Sequence, residues 1–554
     1  MFHQIPETQM HRIRWLFAIS WLVLIASMFY DPISPILTTP SNLHSPFHLD
    51  SQACIQVQGE CLPQTPYKLA PRIFWSAVVP AAIFIIFVFG HETWRRICPL
   101  SFFSQLARHL DRQRKQKVID SGMVRYELIQ ISADSWLGKY HLYLQFSLFF
   151  VGLTLRMLLV NSNSLALGIF LSLTILAAIV VGFLYAGKSW CNYFCPFSPV
   201  QSVFTLPRGL LGSQAHQQPN TNFSQSECRT IAHQSACVGC KSPCIDIDAE
   251  NAYWQELQKP GRQFVQYGYF GILIAFFLYF YLFAGNWDYY FSGAWSRDDA
   301  IGTLLKPGFY LFGQPIPIPK LVAVPLTLAM FTALSYLGLR RVEKFYQATV
   351  IQQGKSLDSR IQSRHIIFTL VTVCSFWYFF CFGGRPILNS MPNVVVLGFN
   401  AIVILAGAIW GYRTLGRTQE QYQNEVSAIG LRTKLKKNFP NLSEQIDKFT
   451  PDRVVAIAKF TPELANVEKS RLYRMMVKEY LTKHNFTGNI ERCFDELEDK
   501  REQMQIDDDT HHNVIEQLRV DNPRLFTRSN IPPSHTATIV RSDPKKGFDA
   551  TKVR

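Results

Sequence analysis

The sequence predicts an all-α, polytopic membrane protein of about eight transmembrane helices with both termini cytoplasmic. Three observations carry this: eight apolar runs of membrane-spanning length, cations concentrated in alternate connections, and a low charge content. Of 554 residues, 48% are hydrophobic and only 17% charged, against roughly a quarter charged in an ordinary soluble chain. A net charge of +15 could suggest nucleic acid. Its cations lie between apolar runs, however, so the charge reads as topology and no nucleic-acid partner is expected.

Crossing the hydrocarbon core takes about 20 mostly apolar residues. The candidate runs lie near Trp15 to Tyr30, Ile73 to Gly90, His141 to Val160, Leu165 to Gly187, Phe264 to Ala284, Leu321 to Leu339, His365 to Phe382 and Val394 to Tyr412. The first follows a basic stretch, with no small-residue cleavage site before Asp31 and Pro32, and reads as a retained helix. Only Asn161 to Ser164 join the third and fourth, which makes them an antiparallel hairpin. The connection after the second run carries Arg95, Arg96, Arg108, Arg112, Arg114, Lys115 and Lys117, and that after the sixth carries Arg340, Arg341, Lys344, Lys355, Arg360 and Arg364. The loops around 31 to 71 and 285 to 320 carry chiefly Lys68, Arg297, Lys306 and Lys320. The positive-inside rule therefore places the former in the cytoplasm.

The expected organisation is residues 1–187 for four membrane helices, 188–262 for a cytoplasmic cysteine-rich segment, and 263–417 for four more helices. Residues 418–525 form a small soluble helical domain and 526–554 a disordered tail. In that domain Asp507, Asp508 and Asp509 precede His511 as an N-cap with acids in the first turn. The tail's near-repeat at 537–541 and 550–554 is too short to carry an activity.

Twelve cysteines fall into groups rather than one framework. Cys228, Cys237, Cys240 and Cys244 lie in one turn-rich stretch that suits a [4Fe-4S] cluster, whose iron corners each accept one thiolate. A four-cysteine zinc site and uncommitted thiols are the alternatives. A second group sits where helices leave the membrane. Cys191-Asn-Tyr-Phe-Cys195-Pro196 follows the fourth helix and Cys98-Pro99 follows the second, as copies of an internal repeat in which Trp94 stands at the position of Cys191. Proline after a cysteine fixes the chain direction and withholds a donor. Cys191, Cys195 and Cys98 are accordingly candidate metal or cluster ligands, a second centre, against a reading as a structural helix-exit turn with small apolar thiols.

Paired Cys-x3-Cys-Pro exits with a downstream cysteine cluster resemble the membrane iron–sulfur proteins typified by NapH, NosR and CcoG, over roughly residues 73–250. That resemblance implies a multi-pass protein of the bacterial inner membrane. It would pass electrons between a membrane or soluble donor, a quinol or flavin among them, and a reductase or maturation protein partner. This chain departs from the pattern in lacking one cysteine of the first motif and in carrying only one downstream four-cysteine group. The alternatives are a copper-handling or cofactor assembly factor using the same soft thiolates, and a scaffold with a structural metal. No phosphate loop, serine triad or dinucleotide fingerprint is present, so any oxidoreductase role is that of a component without its own substrate site.

Of the remaining cysteines, Cys54 and Cys61 lie in an outside loop where a disulfide can form. Cys374 and Cys381 read as apolar packing within the seventh helix, and Cys493 as structural. His91, His141 and His365 fall at cytoplasmic helix ends, as polar anchors or as haem or quinone contacts. Arg156, inside the third helix, reads as snorkelling to the outer face. Asn286 to Phe291 with Trp295 reads as an interfacial aromatic belt.

Overall fold

The computed structural model describes residues 7–212, 245–438, 446–459 and 506–521, apart from positions 43, 46, 50–53, 63–65, 121–122, 247, 353–357, 390 and 447, and a few single residues between 470 and 501. Among these, eight helices are long and apolar enough to cross a membrane. They are α1 (Gln9–Phe29), α2 (Leu69–Phe103), α3 (Trp136–Val160), α4 (Ser164–Leu184), α5 (Pro260–Ala284), α6 (Lys320–Val350), α7 (Arg360–Leu388) and α8 (Asn393–Leu415). All eight apolar runs are therefore helical. Several helices extend beyond the run by polar turns, because intrahelical hydrogen bonding does not stop where hydrophobicity does.

Helix α5 is the centre of the bundle and is buried on every side along most of its length. It packs most extensively on α6. Gly271 makes this possible: a Cβ there would run into the Phe331 carbonyl on α6. Small residues at such crossings let backbones approach, which is how helices associate where lipid is as apolar as leucine. At one end α5 buries polar groups that nevertheless find partners. Glu343 of α6 accepts from Gln263 Nε2 at 2.6 Å, Tyr267 OH at 2.5 Å and Arg364 Nε at 2.7 Å. Gln266 Nε2 donates to Thr372 Oγ1 at 2.9 Å, and Thr372 donates to the Val203 carbonyl at 2.8 Å. This network ties α5, α6 and α7 to the short helix Ser198–Thr205 that follows Cys195.

The structure corrects the all-α expectation in one respect, since three two-stranded hairpins are present among the described residues. Lys115–Asp120 pairs with Met123–Leu128, and Pro307–Leu311 with Gln314–Pro319. In the smallest, Gln56–Val57 pairs with Glu60–Cys61. Two turn through residues with positive φ at both central positions, Gln58 and Gly59, and Phe312 and Gly313, the turn that matches strand twist. The helix-length hydropathy that located the spans carries no signal for such short strands.

Residues Met1–Tyr422 and Gln423–Arg554 form separate units. In the second, Ala428, Leu431, Leu435, Ile446, Val454 and Val455 make a small helical core. The helix Asp508–Asp521 is N-capped by Asp507, whose Oδ1 accepts from the Thr510 N–H at 2.7 Å. The tail 526–554 lies outside the described residues.

Two outcomes follow from this packing. Gly271→Val should destabilise the membrane unit by about 1–3 kcal/mol through overpacking, read as a lowered midpoint of thermal unfolding in detergent. In the second unit His511 lies 2.6 Å from Tyr473 OH. Burial, then the Arg501 and His512 charges, push His511 down to about 4 from an ordinary 6.5. The unfolded chain then binds a proton that the folded unit refuses, so this contribution is complete above about pH 6.5 and is lost as pH falls toward 4. Calorimetry of the full chain should show the C-terminal transition falling over that window, with His511→Gln flattening the dependence.

Candidate metal centre at the two Cys-Pro helix exits

Both copies of the repeat leave their apolar helices by the same backbone path. Gly90 and Gly187 each stand eight residues before their cysteine and each takes a left-handed conformation, with φ of 78° and 65°. Only glycine adopts this without strain, so each helix is re-aimed at the same register position. Cys98 then has φ −60° and ψ 123°, and Cys195 φ −59° and ψ 119°. The cause is local: the proline that follows excludes the helical region for the residue before it. The Cys98 N–H donates to the Trp94 carbonyl and the Cys195 N–H to the Trp190 carbonyl, both at 2.9 Å. The second bond spans one more residue, because Trp190–Phe194 is a π-turn.

The copies are also exchanged. The short helix Pro99–Phe103 packs on α4, the helix of the other copy, and Ser198–Thr205 packs on α2. Beyond them, Arg114 N–H donates to the Phe183 carbonyl at the end of α4, while Leu210 and Leu211 N–H donate to Phe87 and Val88 in α2. Repeat-equivalent side chains meet across this pseudo-twofold arrangement: Arg95 Nη2 donates to Asn192 Oδ1 at 2.7 Å. Arg95 is buried, and its Nε lies 2.9 Å from Asp246 Oδ1, a contact made as an ion pair rather than as an aligned hydrogen bond. Lys188 Nζ reaches the other Asp246 oxygen at 3.2 Å. Burial alone would push the Asp246 carboxyl up, but Arg95 and Lys188 outweigh it and hold it below the ordinary carboxylate range. The segment just after Cys244 in the sequence is thereby anchored at the exits.

The fold brings Cys98, Cys191 and Cys195 into one electrostatic neighbourhood. Cys191 and Cys195 are buried beside Trp190, Val181 and Leu100. Burial, then the neighbouring Cys191 and Cys98 thiols, push the Cys195 thiol well above its ordinary value. The Cys195 thiol is therefore protonated until a metal displaces the proton. Among the described residues no three His, Cys, Asp or Glu side chains are gathered closely enough to hold a metal ion. Cys228, Cys237, Cys240 and Cys244 lie outside the described residues.

The other candidates are placed as follows. Cys54 and Cys61 are joined in a disulfide with Cα atoms 5.2 Å apart, at the opposite end of the bundle, where the neighbouring Gln58 bonds the Phe283 and Pro307 carbonyls. Cys374 and Cys381 are free thiols on α7. Cys493 is outside the described residues. His365 Nε2 lies 2.8 Å from the Thr414 carbonyl, which can only accept, so Nδ1 accepts from Tyr253 OH at 2.7 Å. Both nitrogens are thus engaged and His365 is a structural link. His141 Nδ1 bonds the Gly138 carbonyl at 2.9 Å and its ring meets Tyr193 edge-on, while His91 lies beside Thr205 of the other copy.

Two segments of the chain, residues 71–118 and 169–214, match the 4Fe-4S binding domain family Fer4_5. They are the two copies of the Cys-Pro exit, and the match supports an iron–sulfur cluster as cofactor. No curated protein and no solved structure matches the chain significantly.

The residues fit such a group in chemistry. The described donors are three soft thiols. The indole N–H groups of Trp94 and Trp190 are buried with no hydrogen-bond partner among the described residues, and donors of this kind stabilise cluster sulfur. Arg95 supplies positive charge toward thiolates. The pairing of Arg95 with Asn192 and Asp246 was missed from the sequence. Its only sequence signal is that Arg95 and Asn192 each stand three residues before the exit cysteine.

Arg95 is buried and Asp246 nearly so, and removing one leaves the other charge with less compensation, although Asp246 keeps Lys188. Arg95→Gln or Asp246→Asn should each cost about 3–5 kcal/mol, and the double substitution should cost less than the two singles combined. Thermal unfolding of the four proteins measures this.

Proposed function

We propose that this chain is a membrane-bound iron–sulfur protein that passes electrons between a membrane or soluble donor and a protein partner. The carrying observation is that the two segments matching a 4Fe-4S binding domain are the two exits that the fold interlocks, which brings Cys98, Cys191 and Cys195 into one electrostatic neighbourhood. A cluster there would supply one-electron transfer near the membrane surface. The chain's own groups do the rest. Cys191 and Cys195 provide thiolates from one π-turn, and Cys98 provides a third from the other copy. Trp94 occupies the position of the missing cysteine and offers an N–H instead of a sulfur. Cys228, Cys237, Cys240 and Cys244 are proposed as the ligands of a [4Fe-4S] cluster, with the Asp246 anchor holding the following segment to the exits. Zinc in that loop is the competing occupant.

The proposed orientation places the exits, the loop and both termini in the cytoplasm of a bacterial inner membrane, with the Cys54–Cys61 disulfide outside. Charge asymmetry supports it, as does the placing of the disulfide and the exits at opposite ends.

A copper-handling role is a second reading. It would use the same soft thiolates, Cys191 and Cys195, which suit copper(I).

Protein purified without oxygen should contain about four iron and four acid-labile sulfide per cluster and a reducible paramagnetic signal. Serine at Cys228, Cys237, Cys240 or Cys244 should abolish the loop cluster, and serine at Cys191 or Cys195 any second centre. Zinc without iron would end the electron-transfer reading, and copper lost with Cys191 and Cys195 would favour the second. For orientation, a fluorescent protein fused after Arg417 should fluoresce, and alkaline phosphatase there should be inactive.

A further inference from the structure

A cavity of about 350 Å³ lies at the opposite end of the bundle from the exits, between α2, α3, α5, α7 and the loop bearing Tyr290. Its size falls within the roughly 300–1,000 Å³ of small-molecule sites. Half of its lining residues are aromatic, and among the described residues Arg156 is the only charged side chain lining it. The guanidinium carbon is 4.1 Å from the centroid of Trp75 on α2 and 4.4 Å from that of Phe276 on α5. Arg156 is therefore clamped into the bundle, which corrects the snorkelling expectation. Its Nε donates to Asn161 Oδ1 at 3.3 Å, and among the described residues nothing partners its two terminal nitrogens.

Three π-turns meet here. Phe74–Val78 contributes Trp75, Arg156–Val160 contributes Arg156, and Tyr378–Phe382 contributes Phe380. A π-turn sets aside regular helical hydrogen bonding to re-aim a side chain, and such turns recur at functional sites. Tyr290 OH is fixed by donating to the Gly383 carbonyl at 2.7 Å, so the wall opposite Arg156 is rigid. An unpaired cation held among aromatic rings near the end of an apolar helix is a costly feature that ordinarily marks function.

We propose that this cavity binds an amphiphilic oxyanion, with its carboxylate or phosphate on Arg156 and its apolar body against the aromatic wall. The guanidinium carbon sits over the faces of two rings, and its terminal N–H groups carry no partner among the described residues, which leaves that N–H edge for a ligand. In-plane paired N–H donors match the two oxygens of a carboxylate or phosphate. The absence of any lining acid removes competition for that edge. The head lies in the turn that ends α3, at the depth where amphiphile head groups sit, and the rings below it suit acyl carbons. This site is separate from the thiols, and its occupancy does not depend on a cluster.

The test uses the full chain in detergent or nanodiscs, with 9,10-dibromostearate as contact quencher of tryptophan fluorescence, since Trp75 and Trp295 line the cavity. Saturable quenching is expected, largely lost in Trp75→Phe. Arg156→Gln should weaken binding at least about tenfold, and the methyl ester should bind the wild type no better than the acid binds that variant. Ser76→Phe fills the cavity while keeping the charge and should also abolish saturable quenching, with monodispersity and melting temperature showing that both variants fold. Competition by phosphatidylglycerol would identify a lipid phosphate as an occupant; its failure, with dibromostearate still bound, would identify a free carboxylate. Equal affinity for acid and ester, or unchanged binding in Arg156→Gln, overturns the proposal. Displacement by a neutral quinone equally well from wild type and Arg156→Gln also overturns it.

Discussion

The buried guanidinium of Arg95 is the contact on which the candidate centre depends. It stands three residues before the first exit cysteine, bonds the equivalent residue of the second exit, Asn192, and pairs with Asp246. One side chain thus joins both copies of the repeat to the segment after Cys244. A charge removed from water requires compensation within reach, so its partners are held in register with it. Any shift of one exit against the other would break the Asn192 bond and leave Arg95 with less than its buried charge requires.

The two exits achieve this by exchange rather than by packing side by side. Each short helix lies on the long apolar helix of the other copy, and the chain beyond it bonds carbonyls at the end of α4 or just before the break of α2 at Gly90. Carbonyls at a helix end lack intrahelical partners and must be satisfied, so each copy completes what the other leaves open. The polar network around Glu343 then fixes Ser198–Thr205 to α5 and α7. Within a low-dielectric bundle such bonds are costly to lose, which makes the thiol-bearing end rigid.

Much of this was legible in the sequence. The eight spans were, because hydrophobicity over twenty residues is a strong and local signal. The Cys-Pro repeat was also legible, because proline imposes its backbone restriction on the preceding residue wherever it occurs, and Cys98 and Cys195 accordingly share one conformation. The three hairpins were not, since strands of two to six residues have no periodicity long enough to read. Nor was the role of His365, whose partners Tyr253 and Thr414 lie 112 and 49 residues away in the chain. The four loop cysteines, read from the sequence as a ligand set, lie outside the described residues, and the matched segments cover the exits.

By itself the sequence determined composition-driven and local properties: eight helices long and apolar enough to cross a membrane, the helix-exit geometry, and thiols in ligand-like spacing. These follow from transfer of apolar surface and from the steric rules of glycine and proline, which act within a few residues. Only the tertiary structure decided which charges meet. It placed Asp246 rather than another acid against Arg95, and it turned Arg156 into an aromatic-lined cavity instead of toward the outer interface. The reason is that electrostatic and aromatic contacts depend on distance in space. Residues 75, 156 and 276 have no relation in sequence until three helices, each widened by a π-turn or crossed closely at a glycine, bring them within about 4 Å.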